Sequence, residues 1–318
     1  KEASNPWPTF FREVFQNSND ARISPLEPFT FRVETSKIGP DAAATIRNAK
    51  SDNGVAMSAL SSNLPQLSDS STCLVVTDLG TTGLGGSTDP RLAEHDSRFA
   101  NFFFKYGRES GNSHDGGAFG VGRNVFFSAS KVSTVFVYTR YRNDQGVTSS
   151  RLMGMTANKH FTHGGRNFTG RHWWCEAKNS DGSYLPFSGP TADQLADTLG
   201  FTAFPDGQTG TSVMVLSPNS SEIHSLAQIL QATALVSAWP HFLDEPGRVR
   251  AKFVFKSFGE TLLTVEPTDS KSPLAPFAAA FLEAVNNPNS TKKLTCSSVH
   301  QALRDKFSDG KEISRAMG

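Results

Sequence analysis

Four short stretches of this chain combine residue types and spacings that could do chemistry. In the first, Glu13, Asn17 and Asp20 stand at i, i+4 and i+7 of WPTFFREVFQNSNDA, so a helix would carry a carboxylate, an amide and a second carboxylate on one face. The row contains no lysine, although solvated helix surface is the ordinary use of such residues. In the second, CLVV leads into Asp78-Leu79-Gly80-Thr81-Thr82-Gly83. An acid at a strand end can accept a hydrogen bond from an exocyclic amine, and glycines beside it let a ligand ring approach the backbone; a tight turn uses the same residues. In the third, Gly116-Gly117-Ala118-Phe119-Gly120-Val121-Gly122-Arg123 precedes a helical pattern and would offer backbone N–H groups to an anion. It is not a P-loop, because Arg123 and Asn124 stand where Lys and Ser or Thr are needed. Nor is it a dinucleotide fingerprint, since Val125 occupies the place of the last glycine. In the fourth, Gly210-Thr211-Ser212-Val213 opens a strand with a hydroxyl at its edge. A separate set, His160-x2-His163 and His172-x2-Cys175, has ligand types and spacing suited to Zn²⁺, without a second Cys-x2-Cys to support it.

These groups need elements to hold them, and the hydrophobic pattern supplies candidates. Residues 7 to 21 predict an amphipathic helix with Trp7, Phe10, Phe11, Val14 and Phe15 on its apolar face. FTFRVE alternates as a strand, residues 41 to 60 read as helix with a restart near Val55, and SSNLPQLSDSST reads as a polar loop. CLVV is a short buried strand. Residues 80 to 122 form a long connection interrupted by a short aromatic helix in FANFFFKYG, and connections of that length usually carry function or are disordered. NVFFSASKV predicts a helix, STVFVYTRYR a strand ending at Asn143-Asp144, and RLMGMTA and GTSVMVLSP further strands. Towards the C-terminus come a helix over 221 to 239 stopped by Pro240, a hairpin of RVRAKFVF and TLLTVEP around Gly259, and a helix in PLAPFAAAFLEAV.

Composition sets the outer limits. The 318 residues exceed the roughly 150-residue prior for one domain, so one large or two unequal domains are expected. Hydrophobic residues make up 37%, and with 26 glycines this excludes global disorder. Lys and Arg total 31 against 30 Asp and Glu, a formal charge of +1, so no overall field points to nucleic acid, membrane or acidic partners, although a local basic patch stays open. Three cysteines, Cys73, Cys175 and Cys296, cannot build a disulfide scaffold and fit a reducing, cytoplasmic setting. No apolar run approaches a membrane span, and KEASNPWPTF lacks the layout of a signal peptide. A start at Lys1 reads as a processed protein or a piece of a longer one.

Taken in order, Glu-x3-Asn-x2-Asp-Ala, Asp-x-Gly-x2-Gly, the FGVG loop before a helix, and Gly-Thr before a strand resemble the GHKL (Bergerat-fold) ATPase superfamily of gyrase B subunits, MutL proteins, large heat-shock chaperones and histidine kinases. The resemblance spans about residues 9 to 217. VVTDLGTTGL, RFANFFFKYGRES, GGAFGVGRNVFFSAS and RLMGMTANKHF look most like bacterial MORC-like and heat-shock-chaperone-like ATPase domains found beside restriction and phage-defence genes. It implies an α/β fold of the α+β two-layer sandwich type, with a mixed sheet covered on one face by helices. Residues 1–220 would form the ATP-binding domain, and 221–318 a helical and hairpin extension opening a transducer region.

The same resemblance assigns roles. Glu13 would orient and deprotonate the attacking water, Asn17 would ligate Mg²⁺, and Asp20 would sit near the nucleotide. Asp78 would accept from the adenine amine, with Thr211 completing the contact through a water, while Gly80 and Gly83 admit the base. Gly117, Phe119, Gly120, Val121 and Gly122 would bring main-chain N–H groups to the phosphates, and residues 80 to 122 would form an ATP lid. Many relatives also reach the γ-phosphate with a transducer lysine, for which Lys256, Lys271, Lys292 and Lys293 are equal candidates. The implied activity is slow Mg-dependent ATP hydrolysis coupled to lid closure and homodimerisation, with DNA or defence proteins as partners by family association. The alternatives are a non-catalytic nucleotide-gated dimerisation switch and a zinc-binding interaction module.

Overall fold

A computed structural model describes residues 5–49, 66–89, 91, 97–104, 124–179, 184–264 and 266–287. Helix α1 (Trp7–Asp20) buries all five residues of the expected apolar face, and Ser18 with them. Strand β1 (Phe29–Lys37) buries Phe29, Phe31 and Val33 in alternation. Phe11 and Phe15 meet Phe31 edge to face, with ring centroids 5.7 and 5.3 Å apart, and contacts of this kind add about 0.5–1.5 kcal/mol each to simple burial. Helix α2 (Pro40–Asn48) is shorter than the predicted span, and the restart near Val55 lies outside the described residues. Strand β2 (Thr72–Leu79) extends beyond CLVV and takes Asp78 into the strand itself.

Helices α3 (Arg98–Phe103) and α4 (Asn124–Ser128) follow. The second stops well before Val132, because Ser130 turns to bridge Pro218 while Ala129 accepts from the Asn219 N–H at 2.7 Å. Strands β3 (Thr134–Arg142) and β4 (Thr148–Ala157) form a hairpin across a turn closed by Gly146 N–H to the Asn143 carbonyl. Short strands come next: β5 (Phe161–His163), β6 (Arg166–Phe168), β7 (Arg171–Trp174), β8 (Ala177–Lys178), β9 (Tyr184–Leu185) and β10 (Phe187–Ser188). Helix α5 (Pro190–Leu199), which the sequence reading missed, leads to β11 (Gly210–Leu216). Helix α6 (Leu226–Ser237) is flanked by 3₁₀ turns at Ile223–Ser225 and Trp239–Phe242. Strands β12 (Ala251–Ser257) and β13 (Glu260–Thr261) make the expected hairpin around Gly259, and α7 (Ala275–Asn286) closes the described chain.

Nine of these strands make one mixed sheet in the order β10-β4-β3-β11-β2-β1-β12-β13, with β7 also paired to β4. Only the β1–β12 neighbours run parallel; the other pairs in this sheet are antiparallel. In β2, β3 and β11 both sets of alternating side chains are buried. Leu74, Val76, Val135, Val137, Val213 and Val215 pack with α1, α4 and α6 in one core. Cys73, Val75, Phe136, Met214 and Leu216 pack with α2 and α5 in a second. The expectation of helices on one face only is therefore corrected. An uninterrupted apolar strand has two apolar faces, and each must be covered. Residues 226–257 share the first core through Leu226, Leu230, Phe253 and Phe255. Among the described residues no helix is long and apolar enough to cross a membrane.

Candidate functional site

Strand alternation turns Leu74, Val76 and Asp78 of β2 to the α1 side of the sheet, as it does Thr211, Val213 and Val215 of β11. Asp78 ends its row and is only 9% exposed. Three donors fix the carboxylate: Ser18 Oγ of α1 gives to Oδ2 at 2.9 Å, while the Thr211 backbone N–H, at 2.9 Å, and the Thr81 hydroxyl, at 2.5 Å, give to Oδ1. Burial pushes the acid up to about 6 even though all three hydrogen bonds favour the charged form.

The loop after Asp78 is sewn between α1 and β11. Gly80 N–H reaches the Thr209 carbonyl at 3.0 Å and Thr82 N–H the Ala21 carbonyl at 2.9 Å, while the Leu84 N–H donates to Thr139 Oγ1 at 2.8 Å. Gly80 and Gly83 hold φ of +80° and +65°, and a Cβ on either would stand 2.2 Å from a backbone carbonyl oxygen, that of Pro28 and that of Arg140 respectively. Only glycine meets both conditions without moving the strands beside it.

Above this floor lies a cavity of about 400 Å³, within the range of small-molecule sites. Val14, Val76, Val213, Leu84, Phe102 and Phe126 give it apolar walls, and Asn17, Asp20, Asp78 and Thr211 give it polar groups. Of the residues singled out in the sequence, Asn17, Asp20, Asp78, Gly83 and Thr211 thus meet in one place, and Gly80 supports the loop beneath them. Glu13 is half-buried and not among the wall residues; it lies one turn, about 6 Å along the axis, before Asn17. Gly117, Phe119, Gly120, Val121 and Gly122, with most of the supposed lid, lie outside the described residues. Ser18, Thr81 and Thr139 were missed. For Ser18 a signal existed, a hydroxyl in register with Val14 and Phe15 on an otherwise apolar helix face.

A hard cation prefers oxygen ligands and keeps several waters and phosphate oxygens, so one protein amide at the wall suits Mg²⁺, and Asn17 presents an exposed one. Zinc fares differently. Among the described residues, which include His160, His163, His172 and Cys175, no group of three or more His, Cys, Asp or Glu is gathered to hold a metal; the spacing does not become a site, because His163 ends β5 while His172 sits within β7 against Phe161 and Phe168. The lysine candidates are also sorted in part. On β12 the residues Ala251, Phe253 and Phe255 enter the α1-side core, so the side chain of Lys256 stands on the face away from the cavity. Lys292 and Lys293 lie outside the described residues. No protein-family model matches the chain, and comparison with curated proteins finds no significant relative.

Proposed function

We propose that the cavity between α1 and the β2–β11 end of the sheet binds ATP with Mg²⁺, and that the chain hydrolyses the γ-phosphate slowly, nucleotide occupancy driving lid closure and homodimerisation within a DNA-related or phage-defence system. One observation carries this reading: Asp78 is a buried carboxylate held by three donors at the floor of a nucleoside-sized cavity. A carboxylate has about four acceptor positions. Three are used, and the remaining one can take an exocyclic N–H of adenine, where guanine would offer a carbonyl oxygen and find no donor. The loop held by Gly80 and Gly83 keeps the backbone close enough for a flat ring to lie along it. Asn17 supplies an oxygen for the cation, and Glu13 takes a proton from water one turn further along α1. Bound Mg²⁺ would neutralise charge on the phosphates in a loose, in-line transition state.

Titration calorimetry with ATP and a non-hydrolysable analogue tests the assignment. Glu13→Ala is expected to bind both and to lose turnover, whereas Asp78→Asn is expected to lose affinity by about 10- to 100-fold, the cost of one unmade buried hydrogen bond. Absence of binding at millimolar nucleotide by the unaltered chain would end the proposal. The position of Glu13 outside the cavity wall favours a second reading, a switch in which nucleotide occupancy matters and turnover does not. Dimerisation driven by the analogue in a chain without measurable turnover would select it.

A further inference from the structure

The opposite face of the sheet carries a larger cavity, of about 560 Å³. Ile46 of α2, Leu195 of α5, Phe136 and Leu152 of the sheet, and Phe168 and Trp174 of the edge strands form its walls. The rings in its wall are backed by one another and by Phe161 behind Phe168. Phe136 and Trp174 have centroids 5.4 Å apart, while Phe161 and Phe168 stack at 5.3 Å with the His172 ring 5.7 Å from Phe161. Gly154, opposite Trp174 in the ladder, makes room for the Phe136 ring, since a Cβ there would lie 2.5 Å from it.

Two further features say what would enter. His172 is among the lining residues, and burial lowers its pKa, so near pH 7 the ring is neutral and adds an uncharged aromatic surface to the wall. The rim is basic. Arg171 and Lys178 line the opening, with Glu176 as the one acid among its described lining residues. Between Ala157 and Glu176 the sequence has no acid but includes Lys159, Arg166 and Arg171 and three histidines. Lys159, His160, His163 and Arg166 are exposed on or beside the β5–β6 hairpin. Aromatic platforms and a cationic rim suit a flat heterocycle bearing a phosphate.

We propose that this cavity binds a nucleobase and that the cations at its rim take the attached phosphate, giving the chain a second nucleotide-binding site on the face of the sheet away from the first. The same chemistry is offered by a free nucleoside monophosphate and by an unpaired residue of a single-stranded nucleic acid. Stacking against Phe168 and Trp174 supplies sequence-tolerant affinity, and the hairpin cations supply a salt-dependent part.

The test uses the full chain, with and without a saturating non-hydrolysable ATP analogue, and two probes: fluorescein-labelled oligothymidine of twelve nucleotides, read by anisotropy, and thymidine monophosphate, read by tryptophan quenching. Binding of the oligonucleotide with weak monophosphate binding identifies a strand; comparable binding of both identifies a free nucleotide. In either case Phe168→Leu, which keeps apolar bulk but removes the ring, is expected to weaken binding roughly tenfold. Arg166→Glu, on the exposed hairpin, is expected to weaken oligonucleotide binding and flatten its dependence on salt. Asp78→Asn is expected to leave both probes unaffected, which separates this site from the ATP cavity. The proposal is overturned if neither probe binds at millimolar concentration, if both variants bind like the unaltered chain while keeping its thermal midpoint, or if Asp78→Asn abolishes the signal.

Discussion

Asp78 concentrates the chemistry of the candidate site in one group, and its titration reaches both folding and binding. The folded protein raises its pKa from the ordinary 3.8 to about 6 through burial, so the folded state holds the proton more tightly than the unfolded chain. Stability should therefore fall as pH rises from about 4 to about 6, by on the order of 3 kcal/mol in total. Urea unfolding at pH 4.5 and 7.5 checks this, and Asp78→Asn should remove the slope belonging to this group. Nucleotide binding runs the other way, because an amine donor needs the carboxylate as acceptor. ATP affinity is expected to drop as pH falls through 6, and calorimetry at pH 5.5 and 7.5 would show a change of several fold. Asp78 was legible only in company: an acid followed by glycines is by itself the signature of a tight turn, and it was its order among the four motifs that singled it out. Its partners were not. Ser18 and Thr81 are single hydroxyls in a helix and a turn, where hydroxyls are common, and only the fold brings them within 2.9 and 2.5 Å of one carboxylate.

The elements around the site owe their legibility to side-chain size. Phenylalanines and valines make the periods of α1, β1 and β3 plain, and those elements lie where the pattern puts them. Helix α5 buries Ala192, Ala196 and Leu199 at i, i+4 and i+7, a correct helical stripe whose alanines are too small to stand out from the polar residues between them. The cover on the second face of the sheet was missed for a related reason. The unbroken apolar runs in β2 and β11 are the signal for burial on both faces, but they carry no indication of which segments supply the cover. The loop from Gly80 to Gly83 shows how an element boundary can be under stricter control than its interior. Alanine at 83 would combine φ of +65° with a Cβ 2.2 Å from the Arg140 carbonyl oxygen, and the β3 backbone cannot retreat without breaking its ladder to β11. Gly83→Ala is expected to cost about 2 kcal/mol or more, read as a lower urea midpoint, and to weaken ATP binding together with stability.

At the scale of the molecule, the parallel pairing of β1 with β12 makes a late segment of the chain structural support for an early one. Phe31 of β1 sits opposite Phe253 of β12 in the ladder, their rings 6.2 Å apart, and Phe15 of α1 contacts the same Phe253 ring at 5.3 Å. Phe242 lies stacked on Phe253 at 4.0 Å, and Arg22, just past the end of α1, donates through Nη2 to the carbonyls of Pro25, Glu27 and Val249. Helix α1, which carries Asn17 and Ser18 to the cavity beside Asp78, is thus clamped from below by residues beyond 220. A chain ending at residue 220 would lose α6 and β12, expose the edge of β1, and leave Phe11, Phe15 and Phe31 partly uncovered. Removing several buried phenylalanine contacts at about 3–5 kcal/mol for each large side chain exceeds the usual stability of a domain. The shortened chain is therefore expected to lack a cooperative thermal transition and to bind a hydrophobic dye, while a chain ending at residue 287 unfolds in one step and gains thermal midpoint on adding ATP. A cooperative, ATP-responsive 1–220 fragment would show instead that α1 is held by the part of the first core that residues 1–220 supply, and that the parallel β1–β12 pair is an addition to the site and not its foundation.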